Sequence, residues 1–156
     1  MTAFTQISNA QIEAGKKLVG ASSNLGFNSA SVAGNSSSIF LINTSLGYLF
    51  TDNLAGGIDF GFGTQSSGGS SATSFQVGGF GRFYIENFYP EVSIGIINSS
   101  AGGQSSSNLY FGSGFGYAII LNDYISIDPK LSYTMVKYDG VSSNGFGINV
   151  GFSLYF

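Results

Sequence analysis

The sequence predicts an all-β fold, an eight-stranded antiparallel up-and-down β-barrel, and three observations support this prediction. Apolar residues alternate with small or polar residues along most of the 156-residue chain. Short and long connections between the alternating segments also alternate. Charged residues make up only 8% of the chain, against about 25% in an ordinary soluble domain. Because a period of two is typical of a strand with one apolar face, each alternating segment is predicted to be a strand.

The last segment, residues 144–156, shows the alternation most clearly. Every second residue from Phe146 to Phe156 is apolar, and the residues between them are small or polar. A soluble protein rarely ends on an apolar strand edge, because such an edge pairs with other strands that it meets. In a closed barrel the last strand pairs with the first, so this ending favours a barrel.

Seven earlier segments repeat the pattern, and the connections between them fall into two groups. Their apolar faces begin, in chain order, with Val19, Phe40, Leu54, Phe75, Phe88, Leu109 and Ile125. The predicted strands are residues 17–28, 38–50, 54–63, 72–85, 88–98, 108–121 and 124–136. Short turns are predicted at residues 51–53, 86–87 and 122–123, and longer Gly- and Ser-rich loops near residues 29–37, 65–71, 99–107 and 137–143. All turns then lie at one end of the barrel, together with both termini, and all loops at the other end.

The apolar faces are predicted to point outward, which makes the barrel a transmembrane one. The interior of an eight-stranded barrel is narrow and filled by side chains, so Gly, Ser and Ala fit there and rings of Phe and Ile do not. No charged residue lies mid-strand on the apolar face, where a lysine or arginine at bilayer depth costs about 2–4 kcal/mol. The alternative with reversed faces is a soluble lipocalin-like ligand-binding barrel.

These strands, the turn pattern and the C-terminal GFSLYF resemble the small eight-stranded outer-membrane β-barrel proteins of Gram-negative bacteria, of the OmpX and OmpA transmembrane-domain type. The resemblance covers residues 17–156. It implies location in the bacterial outer membrane, contact with outer-membrane lipid, and recognition by the barrel-assembly machinery. By the same resemblance, the C-terminal assembly signal would consist of Val150, Phe152, Leu154 and Phe156. Function is not implied, because the functions within this group are diverse.

Composition excludes several kinds of chemistry. The chain has no histidine and no cysteine, whereas the enzymes among small outer-membrane barrels use a histidine as acid or base. No catalysis, no cofactor and no metal site is therefore expected. The net charge is −3 without a basic block, so nucleic acid is not an expected partner.

The candidate site is a group of charged residues on the polar faces of the strands. With a two-residue turn at residues 86–87, Arg82 lies directly across from Glu91, and Asp128 and Lys130 share one face of a strand. We interpret the group as a salt-bridge network that plugs the lumen; the alternative is a polar gate that passes water or small ions. The predicted lumen charge cluster consists of Asp59, Arg82, Glu91, Asp128 and Lys130.

Residues 1–16 are predicted to be a tail in front of the barrel at residues 17–156. Ser8-Asn9-Ala10 resembles the end of a signal-peptide cleavage site, so the tail is either a signal-peptide remnant or an unstructured segment. The expected function is structural, or a surface interaction with a partner through the four outer loops. The alternative function is a narrow porin-like channel for water, ions or small solutes.

Overall fold

The computed structural model describes residues 14–32, 35–138 and 141–156, without the side chains of residues 21–37, 138 and 141. Nine strands form in these ranges, and no helix there is long and apolar enough to cross a membrane. The strands are β1 (Lys17–Val32), β2 (Asn35–Leu49), β3 (Leu54–Ser67), β4 (Ser70–Phe83), β5 (Phe88–Ala101), β6 (Gln104–Tyr117), β7 (Ile119–Asn122), β8 (Ile125–Tyr138) and β9 (Val141–Tyr155).

The nine strands make a closed antiparallel barrel with eight strand positions, which confirms the predicted fold class. Strands β6 and β7 occupy one position, because both pair with β8, as at Gly116↔Lys130 and Ile119↔Ile127. The sixth strand was predicted as one piece, and the structure interrupts it at Ala118. The reason is a competing bond, since the Ala118 N–H donates to the carbonyl oxygen of Asn87 in the neighbouring turn at 2.7 Å.

The four longer loops of the sequence prediction are wrong, because the strands continue through most of those residues. Strands β3 and β4 pair as far as Ser67↔Ser70, and β5 and β6 as far as Ala101↔Gln104. Only two glycines remain in each of these turns, and all four have positive φ, from 57° to 83°. Glycine adopts that backbone without steric cost, so Gly-Gly makes a two-residue hairpin turn. Strands also extend to residue 32, from residue 35, to residue 138 and from residue 141.

The apolar faces point outward, as predicted. About thirty large apolar side chains are exposed on the outside, and Phe62, Ile94 and Leu131 are 42%, 50% and 53% exposed. The residues that face inward are small or polar along most of the length of the barrel. An exterior this apolar is unsuited to water, so the structure does not support the soluble lipocalin-like alternative.

The seam between the first and last strands is fully paired only near the turn end. Strands β1 and β9 pair at five positions, from Leu18↔Tyr155 to Ser22↔Gly151. The register of β1 then shifts between Ser22 and Gly26. In the described ranges, residues 141–149 of β9 pair with β8 alone. Phe146 and Ile148, on this part of β9, are accordingly 82% and 84% exposed.

Candidate functional site in the lumen

Five apolar or tyrosine side chains close the lumen at its turn end, and we call them the plug. Tyr84 and Tyr89 have ring centroids 5.3 Å apart. The hydroxyl groups of Tyr84 and Tyr155 lie 3.3 Å apart and share a hydrogen bond. None of the five side chains is more than 4% exposed, so the end of the lumen is filled. The plug consists of Leu18, Leu49, Tyr84, Tyr89 and Tyr155.

Arg82 lies in the lumen next to the plug, on the side that faces the hairpin end of the barrel. Its guanidinium carbon is 4.2 Å from the ring centroid of Tyr89, a cation–π distance. Its Nε and Nη2 groups donate to Glu91 Oε2 at 2.9 and 2.7 Å, and Nη1 donates to the Tyr84 hydroxyl at 3.1 Å. The hairpin sets this geometry, because Ile85 and Phe88 bridge around the turn and Arg82 faces Glu91 in the register.

Lys130 and Asp128 on β8 complete a balanced group of charges. Lys130 Nζ donates to Glu91 Oε1 at 2.7 Å, so Glu91 contacts a cation with each of its oxygens. Asp128 Oδ2 lies 4.0 Å from Arg82 Nη1, and its carboxylate accepts hydrogen bonds from two buried serines, Ser126 and Ser153. Two cations and two carboxylates therefore neutralise one another in a nearly buried position. We call Arg82, Glu91, Asp128 and Lys130 the ion cluster.

Asp59, the fifth predicted residue, does not join the ion cluster. It pairs with Gly78 on β4, four residues from Arg82 and therefore about 13 Å further along that strand. Its Oδ2 accepts hydrogen bonds from Tyr110 at 2.5 Å and from Gln76 at 3.3 Å. Its Oδ1 is buried and has no hydrogen-bond partner among the described residues.

A cavity of about 210 Å³ lies between Asp59 and the ion cluster. Polar and apolar groups contribute about equally to its wall, which includes all five predicted charged residues and aromatic side chains such as Phe60 and Phe80. Tyr110, which is 2% exposed, was missed by the sequence analysis, although the parity of β6 puts it on the inward face between Leu109 and Phe111. Other lining residues are Asn43, Ser93, Ser132 and Asn149.

Facing glycines bring neighbouring strands together on the inner wall. Gly57 is opposite Gly47, and a Cβ on Gly57 would overlap the Leu46 carbonyl oxygen and lie 2.5 Å from Gly47 Cα. Gly78 and Gly95 face each other in the same way, and a Cβ on Gly95 would lie 2.5 Å from Gly78 Cα. The inner face of this small barrel leaves no space for side chains at these positions.

The start of β1 and the residue that follows β9, Phe156, meet at the turn end of the barrel. The N–H of Phe156 donates to the Lys17 carbonyl oxygen at 3.1 Å, and the Lys17 N–H donates to the Phe156 carbonyl oxygen at 2.7 Å. Gly15 donates to Leu49 at 2.9 Å, so the last residues of the predicted tail contact the barrel. The possible signal-peptide remnant at residues 1–10 lies outside the described residues. Three of the four residues of the predicted assembly signal, Val150, Phe152 and Phe156, are at least 45% exposed.

The described part of the chain has no group of three or more His, Cys, Asp or Glu side chains placed to hold a metal ion. Its acidic side chains in the lumen are engaged by Arg, Lys, Ser, Tyr or Gln. The arrangement can hold charge and fix side-chain positions.

An apolar exterior around a largely polar lumen defines a small membrane-spanning β-barrel. No family model and no curated protein matches the chain. Among solved structures, the chain is similar to Neisserial surface protein A, with a TM-score of 0.59, 15% identity, and coverage of 90% of this chain and 96% of that one.

Two further solved structures are similar to this chain over most of their length. The Yersinia pestis outer-membrane protein Ail has a TM-score of 0.59 at 15% identity and coverage of 91% and 99%. The N-terminal barrel domain of Pseudomonas aeruginosa OprF has a TM-score of 0.56 at 16% identity and coverage of 92% and 98%. The chain therefore has the fold of the small eight-stranded outer-membrane β-barrels, and the resemblance noted in the sequence is confirmed at the level of fold.

Proposed function

We propose that this protein is an integral barrel of the bacterial outer membrane with a closed lumen, and that it acts as a structural or surface-contact protein and not as an enzyme. The plug is the observation that carries the proposal. Its five side chains are no more than 4% exposed, which supports a lumen that is closed to water and ions at the turn end. The apolar exterior and the fold support the membrane location.

The hairpin ends are the surface that would contact a partner. Because the strands replace the predicted loops, this surface consists of paired strands. At the β3–β4 and β5–β6 hairpins, serine pairs with serine across the turn, as at Ser66↔Ser71 and Ser100↔Ser105. Ser66, Ser67, Ser70 and Ser71 are exposed at the end of β3 and β4. Hydroxyl and amide groups without a charged patch suit a partner that is recognised by neutral hydrogen bonds.

A narrow channel remains the second candidate, because the cavity and the ion cluster give the lumen a polar interior. A movement of the plug would be enough to connect this cavity to the turn end. The two functions differ in conductance, which makes conductance the decisive measurement.

We expect the purified chain to insert into lipid vesicles, to migrate differently on a gel with and without boiling, and to show no steady conductance in a planar bilayer. The double variant Tyr89→Ala with Tyr155→Ala removes two plug rings and is expected to produce open events. Tyr48→Ala with Tyr117→Ala is the matched control, because those rings are 44% and 37% exposed on the outer face. Conductance of the unmodified protein would favour the channel; a chain that stays soluble without detergent would contradict the membrane proposal.

We also propose that the barrel-assembly machinery recognises the end of β9. Phe156→Ala is expected to lower the level of folded protein in the outer membrane, measured by gel shift on isolated membranes, because it removes the terminal ring and keeps the backbone bonds to Lys17. Phe146→Ala is the control, since it removes a ring from the same face of the same strand. Equal levels for both variants and the unmodified chain would contradict the role of Phe156, and deletion of Phe156 would then act only through the lost backbone bonds.

A further inference from the structure

The inner face of β9 has open space towards its hairpin end, in contrast to the crowded wall at the facing glycines. A Cβ built on Gly145 would have no other atom within 4 Å. A Cβ on Gly147 would meet only the side-chain ends of Ser132 and Asn149, at 3.2 and 3.6 Å. On Gly57, by contrast, the added atom would lie 2.5 Å from a backbone Cα. The lumen is therefore least filled beside the upper part of β9.

The same part of β9 lacks a ladder partner on the side that faces β1. Lys17 and Phe156 exchange both of their backbone hydrogen bonds. By the alternation of an antiparallel ladder, the N–H and C=O groups of the even-numbered residues of β9 point towards β1. The described ladder with β1 ends at Gly151, so these groups of Ile148 and Phe146 have no ladder partner in the described ranges.

This open edge lies at bilayer depth. The side chains of Phe146 and Ile148 belong to the apolar outer face and are 82% and 84% exposed. Leu131, which pairs with Ile148 on β8, is 53% exposed on the same face. Unsatisfied backbone groups are costly in a bilayer, which has no water to bond them. A membrane molecule with a hydrogen-bonding head group would satisfy them and leave its chain in contact with lipid.

The cavity in the lumen reaches this seam. Its wall includes Gly20 of β1 and Asn149 and Gly151 of β9, which lie on the two sides of the seam. Its volume of about 210 Å³ holds a small head group with a few methylene groups, and not a whole lipid. A molecule with one polar end and one apolar chain fits this shape, with the polar end in the cavity and the chain in the seam.

The charges in the lumen favour an uncharged head group. Both cations of the ion cluster contact a carboxylate within it, and Asp59 is engaged by Tyr110 and Gln76. An additional ion would lose its hydration without gaining a free counter-ion, which is unfavourable. Asn43 and Ser93, by contrast, line the cavity with an amide and a hydroxyl group, which donate and accept hydrogen bonds.

We propose that the lumen is a binding site for a single-chain amphiphile with an uncharged, hydroxyl- or amide-bearing head group, which enters from the bilayer between β1 and β9. Gly145 and Gly147 leave the space through which the chain passes. The site rests on the membrane location of the barrel and not on the proposed surface role.

The test uses single tryptophans, because the chain has none and bromine quenches tryptophan fluorescence at short range. Thr134→Trp places the reporter inside, on β8 opposite Gly145. Leu131→Trp places it on the lipid face, and Ile97→Trp places it inside on β5, across the barrel from the seam. Each protein is refolded in phosphatidylcholine vesicles and titrated with ω-bromoundecanol. We expect quenching of Thr134→Trp to saturate, quenching of Leu131→Trp to rise in proportion to the alcohol in the bilayer, and little quenching of Ile97→Trp.

Three further probes test the head group. The compounds ω-bromoundecanoate, ω-bromoundecyltrimethylammonium and bromododecane carry a negative charge, a positive charge and no polar group. We expect the alcohol to reach half-saturation at the lowest concentration. Tighter binding of either ion would overturn the proposal of an uncharged head group, and a response of Thr134→Trp that stays linear with all four probes would overturn the site. Quenching of Leu131→Trp in the same vesicles tests the membrane location separately.

A substitution at the opening tests the route of entry. Gly147→Leu, made in the Thr134→Trp protein, is expected to raise the concentration for half-saturation at least tenfold. Gly81→Leu is the control, since it adds the same side chain on the outer face of β4, where the closest atom to a new Cβ is in Val92 at 4.0 Å. If Gly147→Leu fails to fold, Gly145→Leu takes its place. Half-saturation equal to that of the control would overturn entry through the seam.

Discussion

Replacement of Arg82 by alanine is expected to lower the free energy of unfolding of the barrel by about 3 kcal/mol. The side chain is 6% exposed and holds Glu91, Tyr84 and the ring of Tyr89 in place. Removing one member of a buried ion pair leaves the other charge uncompensated, which costs about 3–5 kcal/mol. We expect the lower end of that range, because Lys130 still contacts Glu91. Urea unfolding of the refolded protein in lipid vesicles measures the change.

Two companion variants separate the charge from the geometry of Arg82. Arg82→Lys keeps the positive charge and loses the planar fork that reaches Glu91 and Tyr84 together, so its loss of stability is expected to be intermediate. Arg82→Ala combined with Asp128→Asn keeps the pair of Lys130 with Glu91, removes the carboxylate that loses its cation, and is expected to recover part of the loss. An unfolding midpoint of Arg82→Ala equal to that of the unmodified protein would show that the pair contributes nothing to stability.

Gly57→Ala is expected to destabilise the barrel by about 1–3 kcal/mol, the usual cost of overpacking, although a single methyl group is added. That methyl would meet the backbone of Leu46 and Gly47 across the β2–β3 pair, and backbone atoms cannot turn aside as the end of a side chain can. Strands β2 and β3 must therefore separate locally and lose hydrogen bonds.

Gly79→Ala is the matched control for this prediction. Gly79 lies on β4, where the contact closest to an added Cβ is the Gly57 carbonyl oxygen at an ordinary 3.6 Å. Both substitutions replace glycine in a strand by alanine, so the change in backbone entropy is common to them. We expect the unfolding midpoint of Gly79→Ala to equal or exceed that of the unmodified protein. Equal midpoints for the two variants would show that β2 and β3 can move apart without cost.

The alternation of the sequence was sufficient to predict the faces of the barrel, and the hairpin ends were the part that it did not predict. Serine-rich stretches such as residues 99–107 suggest loops by composition. Their Gly-Gly dipeptides, flanked by residues that can pair, are instead the signal of a two-residue turn. In the structure Ser99 pairs with Ser106 and Ser100 with Ser105, so short polar side chains extend the strands beyond the apolar band.

Within the lumen, a contact across a correctly predicted turn could be predicted from the sequence. The positions of side chains along the barrel axis could not be predicted where a turn was misassigned or where the contact joins distant strands. The contact between Arg82 and Glu91 follows from one turn of known length. The separation of Asp59 from Arg82 follows from the register of β3 against β4, which the two-residue turn at Gly68-Gly69 sets. The sequence analysis predicted a longer loop near residues 65–71 and therefore left this register open. Tyr110 joins Asp59 from β6, three strands away, and no local pattern indicates that contact.

The facing glycines of the inner wall also bear on how far sequences of this fold can diverge. On the outer face, the side chains contact fluid lipid, which requires them to be hydrophobic but does not require a particular shape. Phe, Ile, Leu and Val are therefore interchangeable there. On the inner face, a few small residues and the ion cluster determine whether the wall can curve and whether side chains can fill the lumen. Substitutions on the outer face of the barrel are therefore expected to be tolerated as long as the inner face keeps its curvature.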